Sequence, residues 1–166
     1  MTWRQGPSVG AKLVGAIAAI VAAAVAYGVM ASSAAAQQGP ECRGVAATIT
    51  GTSASEQIVG TAARDVIVAF GGNDQIQGRG GNDLICANTG GDQVLGGGGR
   101  DRIFGGGGSD QLQGNSDNDR LFGQRGTDEL EGNSGDDLLS GGRGFDLGFG
   151  GRGVDTCRSV ELARSC

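Results

Sequence analysis

One aliphatic residue returns at every ninth position through most of the chain: Ile49, Ile58, Ile67, Ile76, Ile85, Val94, Ile103, Leu112, Leu121, Leu130 and Leu139. From Ile58 onward an acid stands two residues before each. Glu56 opens that second series, and aspartates follow at 65, 74, 83, 92, 101, 110, 119, 128, 137, 146 and 155 without a slip. Eleven of the thirteen aspartates lie on this ladder, so the spacing is not an accident of composition. Glycine keeps the same period. It usually stands two before the acid, as at Gly81, Gly99 and Gly126, and five before it, as at Gly78, Gly96 and Gly123.

The triplet around each aliphatic predicts a short strand whose branched side chain points one way. The six residues before it predict a turn, where glycines permit positive φ and let carbonyls face inward. Two nonapeptides make one coil of 18 residues. Successive strands then lie on opposite sheets, and rungs one coil apart stack at about 4.8 Å.

Composition changes this picture in one respect. Glycine occurs 35 times in 166 residues and aromatics make up only 4%. Such a chain has little apolar surface with which to offset its backbone entropy. A metal or disulfides must supply the rest.

Charge and residue types exclude several functions. From Gln37 onward 11 arginines face 18 acids, so nucleic acid is not an expected partner. The chain has no histidine, which removes the usual general base and the commonest zinc ligand. The only lysine is Lys12, so a phosphate-binding Gly-Lys loop is missing from the remainder. Asp117-Asn118-Asp119 starts like an EF-hand loop, but Leu121 and Phe122 occupy positions that need oxygen ligands and glycine. Asp136 and Asp137 are adjacent in a turn and point apart. No enzymatic activity is expected.

The repeating unit reads G-[GN]-x-G-x-D-x-[ILV]-x, with its best copies at Gly96–Phe104 (GGGGRDRIF) and Gly105–Gln113 (GGGGSDQLQ). It resembles the RTX nonapeptide of haemolysin-type calcium-binding proteins, over roughly Ile49 to Cys157. The resemblance implies an all-β fold: a right-handed parallel β-roll, a β-solenoid with two short parallel sheets. It also implies several Ca²⁺ ions, each shared by the carboxylates and turn carbonyls of neighbouring coils. Ca²⁺ takes six to eight such oxygens. Carried onto this sequence, the ligands on one edge are Asp83, Asp101, Asp119, Asp137 and Asp155. On the other edge they are Asp74, Asp92, Asp110, Asp128 and Asp146. The alternative is a solenoid whose aspartates only bond their own turns. Stacked carboxylates without a cation would repel one another, which argues against it. The pattern departs from the family at Ala54 and Ala63, at Ala69-Phe70, at Ala87-Asn88 and at Asp117.

Residues 1–36 carry Arg4 and Lys12, then an uncharged run from Leu13 to Met30, then Ala34-Ala35-Ala36. They are expected to be a secretory signal peptide cut before Gln37, with a retained transmembrane anchor as the competing reading. Either way the remainder is exported, and after cleavage no membrane contact is expected. Residues 37–48 form an N-terminal segment or cap, 49–157 the roll, and 158–166 a C-terminal cap. The expected product is a free-standing, secreted, extracellular calcium-binding module. The alternative is an adhesive or matrix protein that uses calcium only as scaffold.

The four cysteines allow three pairings. Cys42–Cys86 and Cys157–Cys166 are expected. Cys157 holds an inward position, and Cys166 lies nominally on the opposite sheet, about 10 Å away. A bridge there requires Arg158–Ser165 to leave the roll and fold over its end. On the outer faces, residues one and three after each acid place Phe104 and Phe122 one coil apart beside Arg102 and Arg120. Three readings of that apolar column stay open: cover by Gln37–Thr48, a self-association or cell-envelope partner, or plain exposure with Arg–Phe stacking.

Overall fold

The computed structural model describes residues 39–166. The expected signal peptide lies outside the described residues. A short antiparallel hairpin comes first, β1 (Glu41–Cys42) and β2 (Val45–Ala46). Its turn is Arg43-Gly44, both at positive φ, the geometry that suits a two-residue hairpin.

The roll follows, and its strands alternate between two sheets. One sheet stacks β3 (Ile49–Thr50), β5 (Val66–Val68), β7 (Leu84–Thr89), β9 (Arg102–Gly107), β11 (Arg120–Arg125), β13 (Leu138–Arg143) and β15 (Thr156–Arg158). The other stacks β4 (Gln57–Val59), β6 (Gln75–Gly80), β8 (Gln93–Gly98), β10 (Gln111–Ser116), β12 (Glu129–Ser134), β14 (Leu147–Arg152) and β16 (Leu162–Arg164). All neighbours within these two sheets are parallel, so the fold is an all-β parallel solenoid. Between Ile49 and Arg158 the paired strand residues stand 18 positions apart, as in Leu112↔Leu130 and Leu121↔Leu139.

The ninth-position aliphatics meet between the sheets. Ile67, Ile76, Ile85, Val94, Ile103, Leu112, Leu121, Leu130 and Leu139 are completely buried. The core tapers at Gly148, where an added Cβ would stand 3.3 Å from Val160 and 3.4 Å from the Cys157 sulfur. The chain substitutes glycine there because the space is already taken.

Two expectations need correction. The central strands run six residues rather than three. The glycine half of each repeat also pairs with the coil beside it, as in Asn115↔Asn133 and Ser116↔Ser134, because identical turns stack in register. Within each six-residue strand the ladder skips only the residue five before the next acid, as at Gly114 and Ala87. Further, Arg158–Ser165 does not leave the roll. β16 adds in parallel to β14 with Leu147↔Leu162, an offset of 15 instead of 18. This shortened last coil brings the Cα atoms of Cys157 and Cys166 to 5.7 Å, and the disulfide forms.

The hairpin lies on the outside of the β3–β15 sheet. Cys42 is bonded to Cys86 with Cα atoms 5.7 Å apart, and the pair packs with Val66, Val68, Leu84 and Phe104 in a second apolar cluster. Phe104 is only 4% exposed, so the N-terminal segment covers this end of the column, while Phe122 stays half-buried. Its ring stacks on Phe122 at 4.8 Å, and Arg43 sits over it at 4.7 Å from the centroid. Such aromatic and cation–π contacts contribute about 0.5–1.5 kcal/mol each.

Candidate metal centre

Each turn between strands contains the acid and the residues just before it. In the glycine turns the residue four before the acid has positive φ even where it is not glycine, as at Arg79, Asn88, Asn115, Gln124 and Asn133. The residue two before it also has positive φ, and Asp117 alone takes that position without being glycine. These two reversals fold the chain tightly enough to bury the aspartate that follows. Asp74, Asp83, Asp92, Asp101, Asp110, Asp119, Asp128, Asp137 and Asp146 are all nearly inaccessible, and Asp155 is half-buried.

The two carboxylate oxygens have different surroundings. Oδ1 accepts the main-chain N–H of the aspartate one coil earlier: Asp83 N–H to Asp101 at 2.8 Å, Asp101 to Asp119 at 2.8 Å, Asp119 to Asp137 at 2.7 Å. The other edge repeats this from Asp74 to Asp146. Oδ2 has no hydrogen-bond partner among the described residues in any of the ten aspartates from Asp74 to Asp155, and in each it is buried. Nearly every buried polar atom in a folded protein is paired, so ten identical exceptions call for a ligand.

The surroundings of Oδ2 favour a hard cation. In eight of the ten turns it lies over the Cα of a glycine five positions earlier. A Cβ at Gly78, Gly96, Gly105, Gly114, Gly123, Gly132, Gly141 or Gly150 would collide with it. A carbonyl of the next coil reaches the same spot: Gly96 O would be 2.5 Å from a Cβ on Gly78, and Gly150 O 2.6 Å from one on Gly132. Carboxylate and carbonyl oxygens thus converge where a side chain is barred. Among the described residues no three His, Cys, Asp or Glu side chains come together, and the other oxygens that the glycine turns bring to Oδ2 at Gly78 and Gly132 are main-chain carbonyls. Oxygen-only donor sets rich in carbonyls suit Ca²⁺.

Electrostatics point the same way. Burial raises the carboxyl pKa of Asp101 and Asp110 to about 7 and that of Asp119 to about 8. Neighbouring aspartates of the same column push them further up, and the N–H bond to Oδ1 only partly opposes the rise. Asp83, Asp92, Asp128 and Asp137 move upward for the same first reason. A nearby cation would relieve both penalties.

Three parts of the site were not foreseen. Residues just before the acids form an outer ladder of opposite sense: Asn73 accepts from Gly91 N–H, Asn82 from Arg100, Asn118 from Asp136, and Asp136 from Val154. Glu161 accepts the Asp146 N–H at 2.5 Å, the bond that an aspartate 18 residues on would otherwise take. It stands three residues short of the ladder, matching the shortened last coil. Finally, the acids Glu56 and Asp65 are met by threonines. The only signal of that in the sequence was the replacement of their turn glycines.

Asp117 keeps the glycine-like turn at φ 74°, and its carboxylate accepts Gly99 N–H at 3.1 Å on the exposed side. It is not among the buried column. Ala69 and Ala87 carry methyl groups where the other turns have the barred glycine position, and both methyls join the core.

Comparison with known families agrees with this geometry. The family model described as RTX calcium-binding nonapeptide repeat matches four times, at residues 50–85, 87–121, 113–148 and 122–157. No curated protein and no solved structure matches the chain. The matches span nearly the whole roll, from the first coil to β15, and their repeat is the unit that builds both carboxylate columns. On that evidence the chain belongs to the RTX calcium-binding nonapeptide repeat family.

Proposed function

We propose that the chain is an extracellular calcium-binding module whose roll forms when calcium fills the two carboxylate columns. Asp74, Asp92, Asp110, Asp128 and Asp146 would hold the ions on one edge, and Asp83, Asp101, Asp119, Asp137 and Asp155 on the other. The observation that carries this reading is the set of ten buried Oδ2 atoms without a donor among the described residues. Two disulfides support an oxidising, exported location. The role is structural rather than catalytic.

Calcium is then part of the fold's stability. Each site contributes about 1.4 kcal/mol at a tenfold excess of ion over Kd. Several together match the roughly 5–15 kcal/mol that holds an ordinary domain. The test is circular dichroism of the chain in EGTA and in millimolar Ca²⁺. Coil in the first and strand in the second are expected. A β-rich spectrum in EGTA with the disulfides reduced overturns the proposal.

A second reading rests on the part of the β3–β15 sheet that the hairpin does not cover. There Arg120 is exposed, and Phe122 and Leu138 are half-buried. An adhesive or self-associating role, with calcium as scaffold, would use this strip. Calcium-dependent capture from the cell envelope that is lost in Phe122→Ser would favour it.

A further inference from the structure

The columns do not begin as they continue. Asp65 is as much a part of its ladder as Asp83, donates its N–H to Asp83 Oδ1 at 2.8 Å, and is buried. Yet its Oδ2 is not orphaned. The N–H of Thr61 donates to it at 2.7 Å and the Thr61 hydroxyl at 3.0 Å. The Thr48 hydroxyl reaches Oδ1 at 3.4 Å. On the other edge Glu56 is served alike: Thr52 donates its N–H to Oε1 at 2.7 Å, and its hydroxyl donates to the same oxygen.

Both threonines stand four before their acid. In the glycine turns that residue has positive φ, whereas no residue from Gly51 to Ala69 does. The two first turns therefore have a different backbone. The threonine hydroxyl also accepts a main-chain N–H, from Ala54 at 3.2 Å and from Ala63 at 3.1 Å, which fixes its direction. Two hydrogens aimed at one oxygen occupy the space a cation would need, and they carry the wrong sign of charge for it.

We propose that Thr52 and Thr61 close the two columns at their N-terminal ends, so that the Glu56 and Asp65 rungs take no calcium and loading begins at Asp74 and Asp83. This rests on the calcium reading given above. Each threonine does for its carboxylate, through two hydrogen bonds, what an ion does further along. The first coil, with the hairpin that Cys42–Cys86 pins beside it, is a calcium-independent rung on which the first calcium coil stacks.

Native mass spectrometry of the full chain at saturating Ca²⁺, disulfides intact, counts the ions. Asp65→Asn keeps a carbonyl oxygen for the Thr61 donors and should hold as many ions as the unaltered chain. Asp83→Asn should hold at least one fewer. Thr61→Gly with Ala63→Gly restores the glycine turn and should gain one. Loss of an ion in Asp65→Asn, or an unchanged count in a folded double variant, overturns the proposal. If the double variant does not fold, the Asp65→Asn and Asp83→Asn pair decides alone. An unaltered chain that binds no calcium would instead remove the function proposed above.

Discussion

The main-chain N–H of Asp110 donates to Oδ1 of Asp128, one coil further on, at 3.0 Å, while Oδ2 of the same carboxylate has no donor among the described residues. One side chain thus ties two coils together with one oxygen and offers the other to a ligand. Asparagine separates these roles. Asp128→Asn keeps an acceptor for Asp110 and removes the charge, so the calcium midpoint should rise several-fold while the tie survives. Asp128→Ala removes both, and should lower thermal stability in calcium by a further 1–3 kcal/mol or so. Equal melting temperatures for the two variants would mean that the tie contributes nothing.

Asp110 and Asp117 carry the same group in different places. Asp110→Ala should raise the calcium midpoint, because Asp110 belongs to the buried column. Asp117→Gly should leave the midpoint unchanged. It should also relieve a left-handed non-glycine residue, which costs about 1–2 kcal/mol, against the loss of one exposed bond to Gly99. Calcium titrations followed by circular dichroism compare the two. A similar rise in both would take Asp110 out of the ligand set.

Protons should partly replace calcium. Burial lifts the Asp101 and Asp110 carboxyls to about 7 and Asp119 to about 8, above the unfolded value of 3.8. A carboxyl raised on folding favours the folded state when protonated. That contribution is complete below the unfolded pKa and is lost as pH rises through 7 to 8. In metal-stripped buffer the chain should therefore be more structured at pH 5 than at pH 8. Conversely, the calcium midpoint should fall as pH rises across the same window, since ions and protons compete for the same oxygens. A calcium-free spectrum that gains strand on alkalinisation would contradict this.

The Cys42–Cys86 bridge closes a long loop and holds the hairpin over Phe104. Cys42→Ser with Cys86→Ser should leave the calcium roll in place. It should also cost up to about 4 kcal/mol by the chain-entropy argument and uncover the Phe104–Phe122 stack. Thermal melting in calcium and binding of an apolar dye report the two effects. No change in either would mean that the hairpin sits there without stabilising anything.

What could be read in advance was whatever repeats. Leu112, Leu121 and Leu130 share one period, one residue class and one environment, so the core positions were plain from spacing. The aspartate columns were plain for the same reason. Strand length was not, because a glycine such as Gly107 shows no preference by itself, and pairs only because its neighbour one coil away has the same turn. The threonine-closed rungs appeared only as missing glycines at Ala54 and Ala63. Nothing in residue type says that Thr61 points two donors at Asp65. Glu161 escaped because the last coil drops three residues and breaks the count. The cover over Phe104 could be narrowed only to three readings, since residues 37–48 have no period to follow.

The pairing of strand residues 18 positions apart, in a core that repeats every nine, makes the roll a ruler with two graduations. Removing residues 105–122 would join Phe104 to Gly123, a junction identical in kind to Phe122–Gly123, and would return each later side chain to its old sheet and edge. Removing only nine would keep an aliphatic in the core and an acid at each turn, yet would exchange the two outer faces for everything downstream. Length is therefore nearly free to vary in whole coils, whereas half-coil changes rewrite the surface without disturbing the interior. A gene of this kind can be lengthened or shortened by recombination between its own repeats. What such events alter is first the reach of the module, and only in the odd steps what it shows to its surroundings.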